Sequence, residues 1–247
     1  MLPVQSLWIG GKLSPLEDLS ARSFLSNGHE YHLYSYGPVE PVPDGVKLKD
    51  AAEILPEEEI FHYTSGPGAG SVSAFSNYFR YKLLHDKGGF WVDTDVICVK
   101  PFNFRAAHVF GQERSRFVPY SVASCVIKAP AGSKFTQFCL DEFKKLDRLS
   151  LKWGVAGPAL VTRAVQELNL YSSVLPPEVF CPSDWWRVDQ EMVGSLGAEV
   201  NLDATHAVHM WHEMWRRNKF DKYVKHHRNS LFEILKRRRA DLIAEKV

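Results

Sequence analysis

An apolar stretch that contains two carboxylates constrains the fold of this chain more than any other segment. It runs from Gly88 to Phe102 and reads GGFWVDTDVICVKPF. The β-branched and aromatic residues around Asp93 and Asp95 are typical of a mostly buried strand. Alternate side chains of an extended strand share a face, so we expect both carboxylates to point the same way. For so short a pattern, a strand-end turn whose carboxylates cap backbone N–H groups or face solvent stays an open alternative.

Two neighbouring carboxylates in a mostly apolar setting favour a bound cation. Their charges repel in a medium of low dielectric constant, and one would take up a proton unless a cation neutralised both. Hard oxygen ligands suit Mg²⁺ or Mn²⁺, whose remaining coordination positions a substrate diphosphate can fill. Asp93 and Asp95 are therefore the first candidate metal ligands.

Strand-like and helix-like segments alternate along the chain. The sequence predicts strands over residues 4–9, 31–36, 109–112 and 122–127, besides the strand before Asp93. It predicts helices over residues 16–25, 71–85, 135–146 and 157–168, the second ended by Gly88 and the fourth with Pro158 at its first position. This order indicates an α/β fold with a largely parallel sheet. Such sheets bind ligands at the carboxyl ends of their strands, where Asp93 and Asp95 are expected.

The length and composition of the chain fit one globular domain. The chain has 247 residues, of which 45% are hydrophobic. We predict a main domain over residues 1–215 and a helical extension of the same domain over residues 216–247. The four cysteines contain no C-x-x-C pair, so reduced, buried thiols are expected. With no signal-peptide pattern at the start and no long apolar run, the expected location is cytoplasmic.

The last part of the chain is strongly basic. The segment from Arg216 to Arg239 contains ten Lys or Arg residues and only two acidic residues, Asp221 and Glu233, which gives a local charge of +8. Apolar residues at helical spacing predict a basic amphipathic segment: Phe220, Val224, His227, Leu231 and Leu235. Residues 230–233 read as a capping box, which would divide it into two helices. The segment either docks on the domain with a solvated basic face or associates peripherally with an anionic membrane surface; nucleic acid is not an expected partner.

The combination of these motifs resembles the glycosyltransferases that carry a DXD-containing sugar-binding region. That family includes yeast Golgi mannosyltransferases, bacterial capsule and lipopolysaccharide transferases and the catalytic domains of large clostridial toxins. Its pattern S-D-x-x-R-x-x-x-L-x-x-x-G-G-x-Y-x-D-x-D is matched from Ser76 to Asp95. The resemblance implies a single A-type glycosyltransferase domain with a Rossmann-like, mixed and mostly parallel sheet. It also implies a nucleotide-sugar donor, Mn²⁺ or Mg²⁺, and retention of anomeric configuration.

The resemblance gives the other candidate residues their roles. Asp95 would bind the metal directly, and Asp93 would bind it through water or contact the ribose and sugar of the donor. His209 would bind the metal or contact phosphate, or be an ordinary strand histidine. Trp8 would stack on the nucleotide base or be a core tryptophan. Trp215 would donate its indole N–H to a phosphate oxygen or only pack. Gln112 and Glu113, at the end of a predicted strand, are the candidates for the polar group that faces the anomeric carbon.

The helix before the carboxylates carries a second pair of candidates. Asn77 and Arg80 lie one helical turn apart, so both can reach the donor sugar, or Arg80 can position Asp93 through an ion pair. Asn77 stands where the family usually has aspartate, which indicates a different preferred donor sugar, since an amide can donate as well as accept. Met214 replaces a family serine, and no asparagine pair occurs at residues 123–125.

The expected activity is metal-dependent transfer of a hexose. We expect the donor to be a nucleotide-diphosphate sugar, UDP-linked rather than GDP-mannose. The acceptor would be a glycan or lipid-linked glycan in the synthesis of cell-surface polysaccharide or lipopolysaccharide. Two alternatives stay open: a toxin-like enzyme that glycosylates protein, and a non-catalytic nucleotide-sugar binder.

Overall fold

A seven-stranded mixed sheet forms the centre of the computed structural model, which describes residues 2–244. The strands are β1 Val4–Leu7, β2 Tyr31–Ser35, β3 Val46–Asp50, β4 Gly89–Val92, β5 Val96–Cys98, β6 Val109–Glu113, β7 Ser121–Ala129, β8 Val174–Leu175 and β9 Ala207–His209. Within the large sheet the order is β3-β2-β1-β4-β7-β6-β8, and only β7 runs against its neighbours. The predicted α/β class with a mostly parallel sheet is confirmed.

Seven helices surround this sheet within the described residues. They are α1 Pro15–Ser26, α2 Ser73–Lys87, α3 Lys134–Lys144, α4 Leu160–Glu167, α5 Pro177–Phe180, α6 His212–Asn218 and α7 Leu231–Ala244. Local signals explain two of the boundaries. Ser14 and Glu17 form a capping box at the start of α1. Gly88 ends α2 at φ 65°, where a Cβ atom would lie 2.6 Å from the backbone nitrogen of Ala131.

The helices cover both faces of the sheet. One face packs against α2, α3 and α4, in a core that includes Phe79, Trp91 and Phe135. The other face packs against α1, whose Phe24 lies in the same cluster as Phe90. Further out, α1 contacts α7 and the small antiparallel sheet of β5 and β9. Each strand of the sheet centre is therefore buried on both sides, which accounts for its nearly continuous apolar sequence.

The structure contains elements that were not predicted, among them β3, and one predicted helix begins at a different residue. β3 was not predicted, because it is a largely exposed edge strand whose sequence gives no clear apolar alternation. The helix predicted from Gly157 begins instead at Leu160. Gly157 has φ −107° and ψ −114°, outside the helical region, so residues 155–159 form an irregular π-type turn around Pro158.

The basic segment is divided, as the capping box at residues 230–233 predicted, and a helix begins there at Leu231. Helix α6 ends at Asn218, followed by Lys219 with a φ of 57°, and the next helix starts only after Ser230. The Ser230 hydroxyl accepts the N–H of Glu233, as half of the predicted capping box. The Glu233 carboxylate accepts instead from the backbone nitrogen of His226, so the second half does not form. Phe220 and Leu235 therefore do not share a helix.

Helix α7 packs on the main body of the chain. Its Leu231, Phe232 and Leu235 are buried in one cluster with Leu16 and Leu19 of α1. The predicted boundary after residue 215 falls inside α6, and residues 245–247 of the predicted extension lie outside the described residues, as does residue 1. The division at residue 215 stays a prediction. Among the described helices, none has the length and apolar character needed to cross a membrane.

Candidate active site

The two carboxylates lie on a turn and not on an extended strand. Strand β4 ends at Val92, and the N–H of Val96 bonds to the carbonyl of Asp93 at 3.0 Å, which closes the turn. The chain then leaves the large sheet, because β5 pairs with β9. The predicted alternation through residues 93–95 is therefore wrong. The turn nevertheless brings the carboxylates of Asp93 and Asp95 together at the carboxyl end of β4.

His209 joins the two carboxylates. It pairs with Val96 in the small sheet, and the N–H of Met210 bonds to the carbonyl of Asp95 at 2.9 Å. One ligand atom each from Asp93, Asp95 and His209 lies within 4.8 Å of the others. Residues that are more than a hundred positions apart in sequence thus form one cluster at the sheet edge where α/β proteins bind ligands.

Asp93 is held by two donors on a single carboxylate oxygen. Its Oδ1 accepts from the indole Nε1 of Trp91 at 2.7 Å and forms an ion pair with Arg80. Arg80 is buried on α2, lies 4.8 Å above the Trp91 ring, and donates to Oδ1 of Asn77 at 2.6 Å. The matched motif therefore forms a physical chain from Asn77 through Arg80 to Asp93.

Asp95 is held in a similar way on its other side. Its Oδ2 accepts the backbone N–H of His212 at 2.7 Å, at the start of α6, and lies 3.4 Å from Nε2 of His209. The alternative in which a carboxylate caps a backbone N–H group therefore holds for Oδ2 of Asp95. The role of His212 was not predicted from the sequence, because any residue type can donate a backbone N–H.

The pKa values of the three titratable side chains in the cluster are shifted in different ways. Burial raises the pKa of Asp93, and the nearby Asp95 adds to the rise, against the effect of Arg80. Burial also acts on Asp95, but His209 and the His212 N–H outweigh it and hold the pKa of Asp95 below its usual value. Although burial opposes it, the pKa of His209 is raised well above its usual value. The anion responsible is Asp95.

The cysteine beside His209 does not supply that charge. The hydrogen bond between Cys125 and Cys181, together with burial, raises the pKa of Cys125 well above its usual value, so at neutral pH this thiol stays protonated. Asp95 and the protonated His209 are consequently opposite charges in contact, and Arg80 balances Asp93.

The donor set fits a hard divalent cation. Oδ2 of Asp93 and Oδ1 of Asp95 have no hydrogen-bond partner among the described residues, although each carboxylate is fixed through its other oxygen. On His209, Nε2 is the nitrogen that lies 3.4 Å from Oδ2 of Asp95. Two carboxylate oxygens and one imidazole are ligands that suit Mn²⁺, with Mg²⁺ as the second choice.

Beside the carboxylates, α2 approaches the turn that precedes α4. A Cβ atom on Gly157 would lie 3.1 Å from Nδ2 of Asn77 and 3.4 Å from Oγ of Ser124. Asn77 is buried, and its Nδ2 has no acceptor among residues 2–238. A free amide donor therefore faces a polar corner next to Asp93. Sequence reasoning named Gly157 only as a helix start and gave Ser124 no role.

Gln112 and Glu113 end β6 on the same edge of the sheet. Glu113 accepts from Oγ of Ser121 at 2.8 Å, and burial raises its pKa, against the effects of Ser121 and His209. Gln112 makes no side-chain hydrogen bond with a described residue. The structure thus puts Glu113 within electrostatic range of the cluster, and the roles of both residues at the anomeric carbon stay predictions.

The two candidate tryptophans, Trp8 and Trp215, differ in whether the indole N–H is free to bind a ligand. Trp8 follows β1 at the sheet edge and is partly buried, and its indole N–H has no partner among the described residues. Trp215 is fully buried and donates its indole N–H to the backbone oxygen of Met210 at 2.8 Å. The prediction that Trp215 binds the donor phosphate is therefore wrong, because its only N–H is already used inside the core.

Comparison with known proteins agrees with the motif. A family model described as "Glycosyltransferase sugar-binding region containing DXD motif" matches residues 43–115. This range runs from β3 through α2 and the carboxylate turn to the end of β6, and so includes Asn77, Arg80, Asp93, Asp95, Gln112 and Glu113. The resemblance found in the sequence is confirmed.

Two curated relatives match a larger part of the chain. A lactosylceramide 4-alpha-galactosyltransferase from Pongo pygmaeus is 29% identical over 165 residues, which are 61% of this chain and 72% of that protein. A human alpha-1,4-N-acetylglucosaminyltransferase is 28% identical over 211 residues, which are 76% of this chain and 57% of that protein. The chain thus spans little more than half of the second relative. These matches confirm the predicted enzyme class, a glycosyltransferase.

Solved structures give a weaker likeness. The PaToxG glycosyltransferase aligns with a TM-score of 0.48 at 18% identity, over 68% of this chain and 69% of that one.

Proposed function

We propose that this chain transfers a hexose from a nucleotide-diphosphate sugar to a glycan acceptor, in a reaction that needs a divalent cation. The observation that carries the proposal is the cluster of Asp93, Asp95 and His209, whose ligand atoms lie within 4.8 Å of one another. A carboxylate-bound Mn²⁺ or Mg²⁺ would accept diphosphate oxygens and neutralise the charge that develops on the leaving group.

The protein side chains would fix this arrangement before the donor binds. Arg80 orients Asp93 from a buried position, and the His212 N–H orients Asp95. Each aspartate is therefore presented with one oxygen bound and one free, which lowers the entropy lost when a ligand is captured. The side chain of Asn77 contacts Arg80 through Oδ1, and we assign its free Nδ2 to a hydroxyl or ring oxygen of the donor sugar.

We propose a UDP-linked donor, and for its sugar the names of the relatives favour galactose or N-acetylglucosamine. Their names specify a galactosyltransferase and an N-acetylglucosaminyltransferase, both of which form α linkages. For an α-linked nucleotide sugar, an α product means retention of configuration. Glu113 and Gln112 are proposed as the polar groups that face the anomeric carbon, since both end β6 on the edge that carries the carboxylate cluster.

The activity is tested by hydrolysis and transfer with a panel of nucleotide sugars in the presence of Mn²⁺. We expect one UDP-hexose to be turned over, and the Asp95→Asn variant to lose at least about 100-fold in kcat/KM, because a cation ligand is removed. Asp141→Asn is the matched control, since Asp141 is exposed on α3. Equal activity of Asp95→Asn and wild type would refute the role of the cluster.

The class of acceptor is tested separately. We propose a glycan or lipid-linked glycan in the synthesis of cell-surface polysaccharide. With a labelled donor and a cell extract, the label should appear in lipid or polysaccharide fractions. Label on protein bands would instead favour the toxin-like alternative, and saturable donor binding without any turnover would favour a non-catalytic binder.

We also propose a cytoplasmic location with peripheral attachment to an anionic membrane. Lys219, Lys225 and Arg228 are exposed and make no ion pair with a described residue, whereas Lys222 pairs with Glu17. Each basic residue near an anionic surface contributes about 1 kcal/mol. Lys225→Gln with Arg228→Gln should weaken binding to phosphatidylserine vesicles by about 30-fold. Unchanged sedimentation with vesicles would contradict the attachment.

A further inference from the structure

A second cluster of metal-ligating side chains adjoins the carboxylates and shares one residue with them. Cys125 on β7, Cys181 directly after α5, and His209 on β9 have ligand atoms within 4.8 Å of one another. Both thiols are free and buried, at 2% and 1% exposure. Three separate elements thus bring together two sulfurs and a nitrogen that the proposed transfer reaction does not use together.

The distance between the sulfurs matches a metal site better than a disulfide. The Sγ atoms of Cys125 and Cys181 lie 3.9 Å apart. Two thiolates that bind a tetrahedral Zn²⁺ at about 2.3 Å are separated by about 3.8 Å. A disulfide would instead need about 2.05 Å. The third member has a free atom for the same purpose, since Nδ1 of His209 is buried and has no hydrogen-bond partner among the described residues.

We propose that Cys125, Cys181 and His209 bind a thiophilic divalent cation such as Zn²⁺, and that this binding is antagonistic to the cation held by Asp93, Asp95 and His209. Binding forms two sulfur–metal bonds and one nitrogen–metal bond, releases the two thiol protons and the proton that makes His209 an imidazolium to solvent, and involves no oxidation. A water molecule or a substrate atom would fill the fourth tetrahedral position.

The antagonism follows from the shared histidine. Both clusters contain His209, and a neutral imidazole has only one nitrogen lone pair to give to a metal. Two dications within a few ångströms also repel strongly in a buried setting. Soft sulfur ligands select Zn²⁺ and the carboxylates select Mn²⁺, so the two clusters would respond to different ions. The proposed transferase would then be inhibited by Zn²⁺ through a site outside its donor pocket.

The site itself is tested with Co²⁺ as the probe, on the full chain under reducing conditions. Thiolate ligands give Co²⁺ a near-ultraviolet charge-transfer band whose intensity follows the number of sulfur ligands. Wild type should develop this band up to one equivalent. Cys125→Ser and Cys181→Ser should each lose half of it or more. The matched control is Cys139→Ser, because Cys139 is an equally buried thiol on α3.

The wild-type titration decides the proposal even if a variant fails to fold, which circular dichroism would reveal. Absence of the band in wild type overturns the site. An equal loss of the band in Cys139→Ser would show that the probe binds cysteines at random, and would overturn it as well. Neither result depends on glycosyltransferase activity, so failure of the proposed function is recognised separately.

The antagonism is tested by electron paramagnetic resonance of bound Mn²⁺. One equivalent of Zn²⁺ should release most of the Mn²⁺ from wild type, whereas Cys181→Ser should need at least about 10-fold more Zn²⁺. If Zn²⁺ releases Mn²⁺ from both proteins at the same concentration, it competes directly at the carboxylates, and the antagonism through the sulfur site is wrong.

Discussion

Replacement of Arg80 by methionine tests how the carboxylate cluster is held. Arg80 is 3% exposed and Asp93 25% exposed in their ion pair. Removal of one partner from a buried pair costs about 3–5 kcal/mol, because the other charge stays buried without compensation. Asp93 keeps some solvent contact and the Trp91 N–H, so we expect the lower end, about 3 kcal/mol. For a chain of this size that corresponds to a Tm lower by roughly 6–12 °C.

Equilibrium unfolding in urea measures this loss, and a double-mutant cycle assigns it. If the ion pair is responsible, Arg80→Met should cost about 2 kcal/mol less when Asp93 is already asparagine. Arg163→Met is the control, since Arg163 is about half exposed in its pair with Glu142 and should cost less than about 1 kcal/mol. An Arg80→Met cost that is the same with either residue at position 93 would refute the reasoning, and would assign the loss to packing on the Trp91 ring.

Three further predictions follow from single contacts. Trp215→Phe should lower the free energy of unfolding by about 2 kcal/mol, with no change in the KM for the donor, because the indole N–H bonds inside the core; a raised KM without loss of stability would contradict this. Gly157→Ala should raise the KM for the donor at a stability cost of about 1 kcal/mol, since its Cβ would crowd Asn77; an unchanged KM would count against a donor contact there. Burial lowers the pKa of His29 from 6.5 to about 4, so the unfolded chain binds more protons between these values. The free energy of unfolding should therefore fall as the pH drops from 6.5 towards 4, and His29→Gln should reduce that slope; identical slopes would contradict the assignment.

Much of the fold was predictable, because buried strands and capped helices leave local signals. The strand ends and the helix α2 with its Gly88 terminus follow from apolar patterns and turn chemistry. β3 escaped prediction because an edge strand need not be apolar. The helical prediction for the basic segment rested on spacing and on the capping box at residues 230–233, and α7 does begin there. The non-helical stretch before Ser230 was not predicted, and its contacts, such as the bond from the His226 N–H to the Glu233 carboxylate, leave no signal in the sequence.

The site was predictable only in its composition. The motif named Asp93 and Asp95 correctly as neighbours but for the wrong geometric reason, since a turn and not strand alternation brings them together. Trp215 was misassigned because a conspicuous aromatic residue gives no indication of whether its N–H is already bonded. Cys125 and Cys181 are 56 positions apart, so only the fold reveals that they meet at His209.

The most direct test of the account is a titration of Mn²⁺ into the protein with UDP present, followed by electron paramagnetic resonance. Wild type should bind one Mn²⁺ per chain. Asp93→Asn and Asp95→Asn should each bind it at least about 10-fold more weakly, and Asp141→Asn should match wild type. If both site variants bind Mn²⁺ as tightly as wild type does, the carboxylate cluster is not the cation site and the proposed mechanism is wrong.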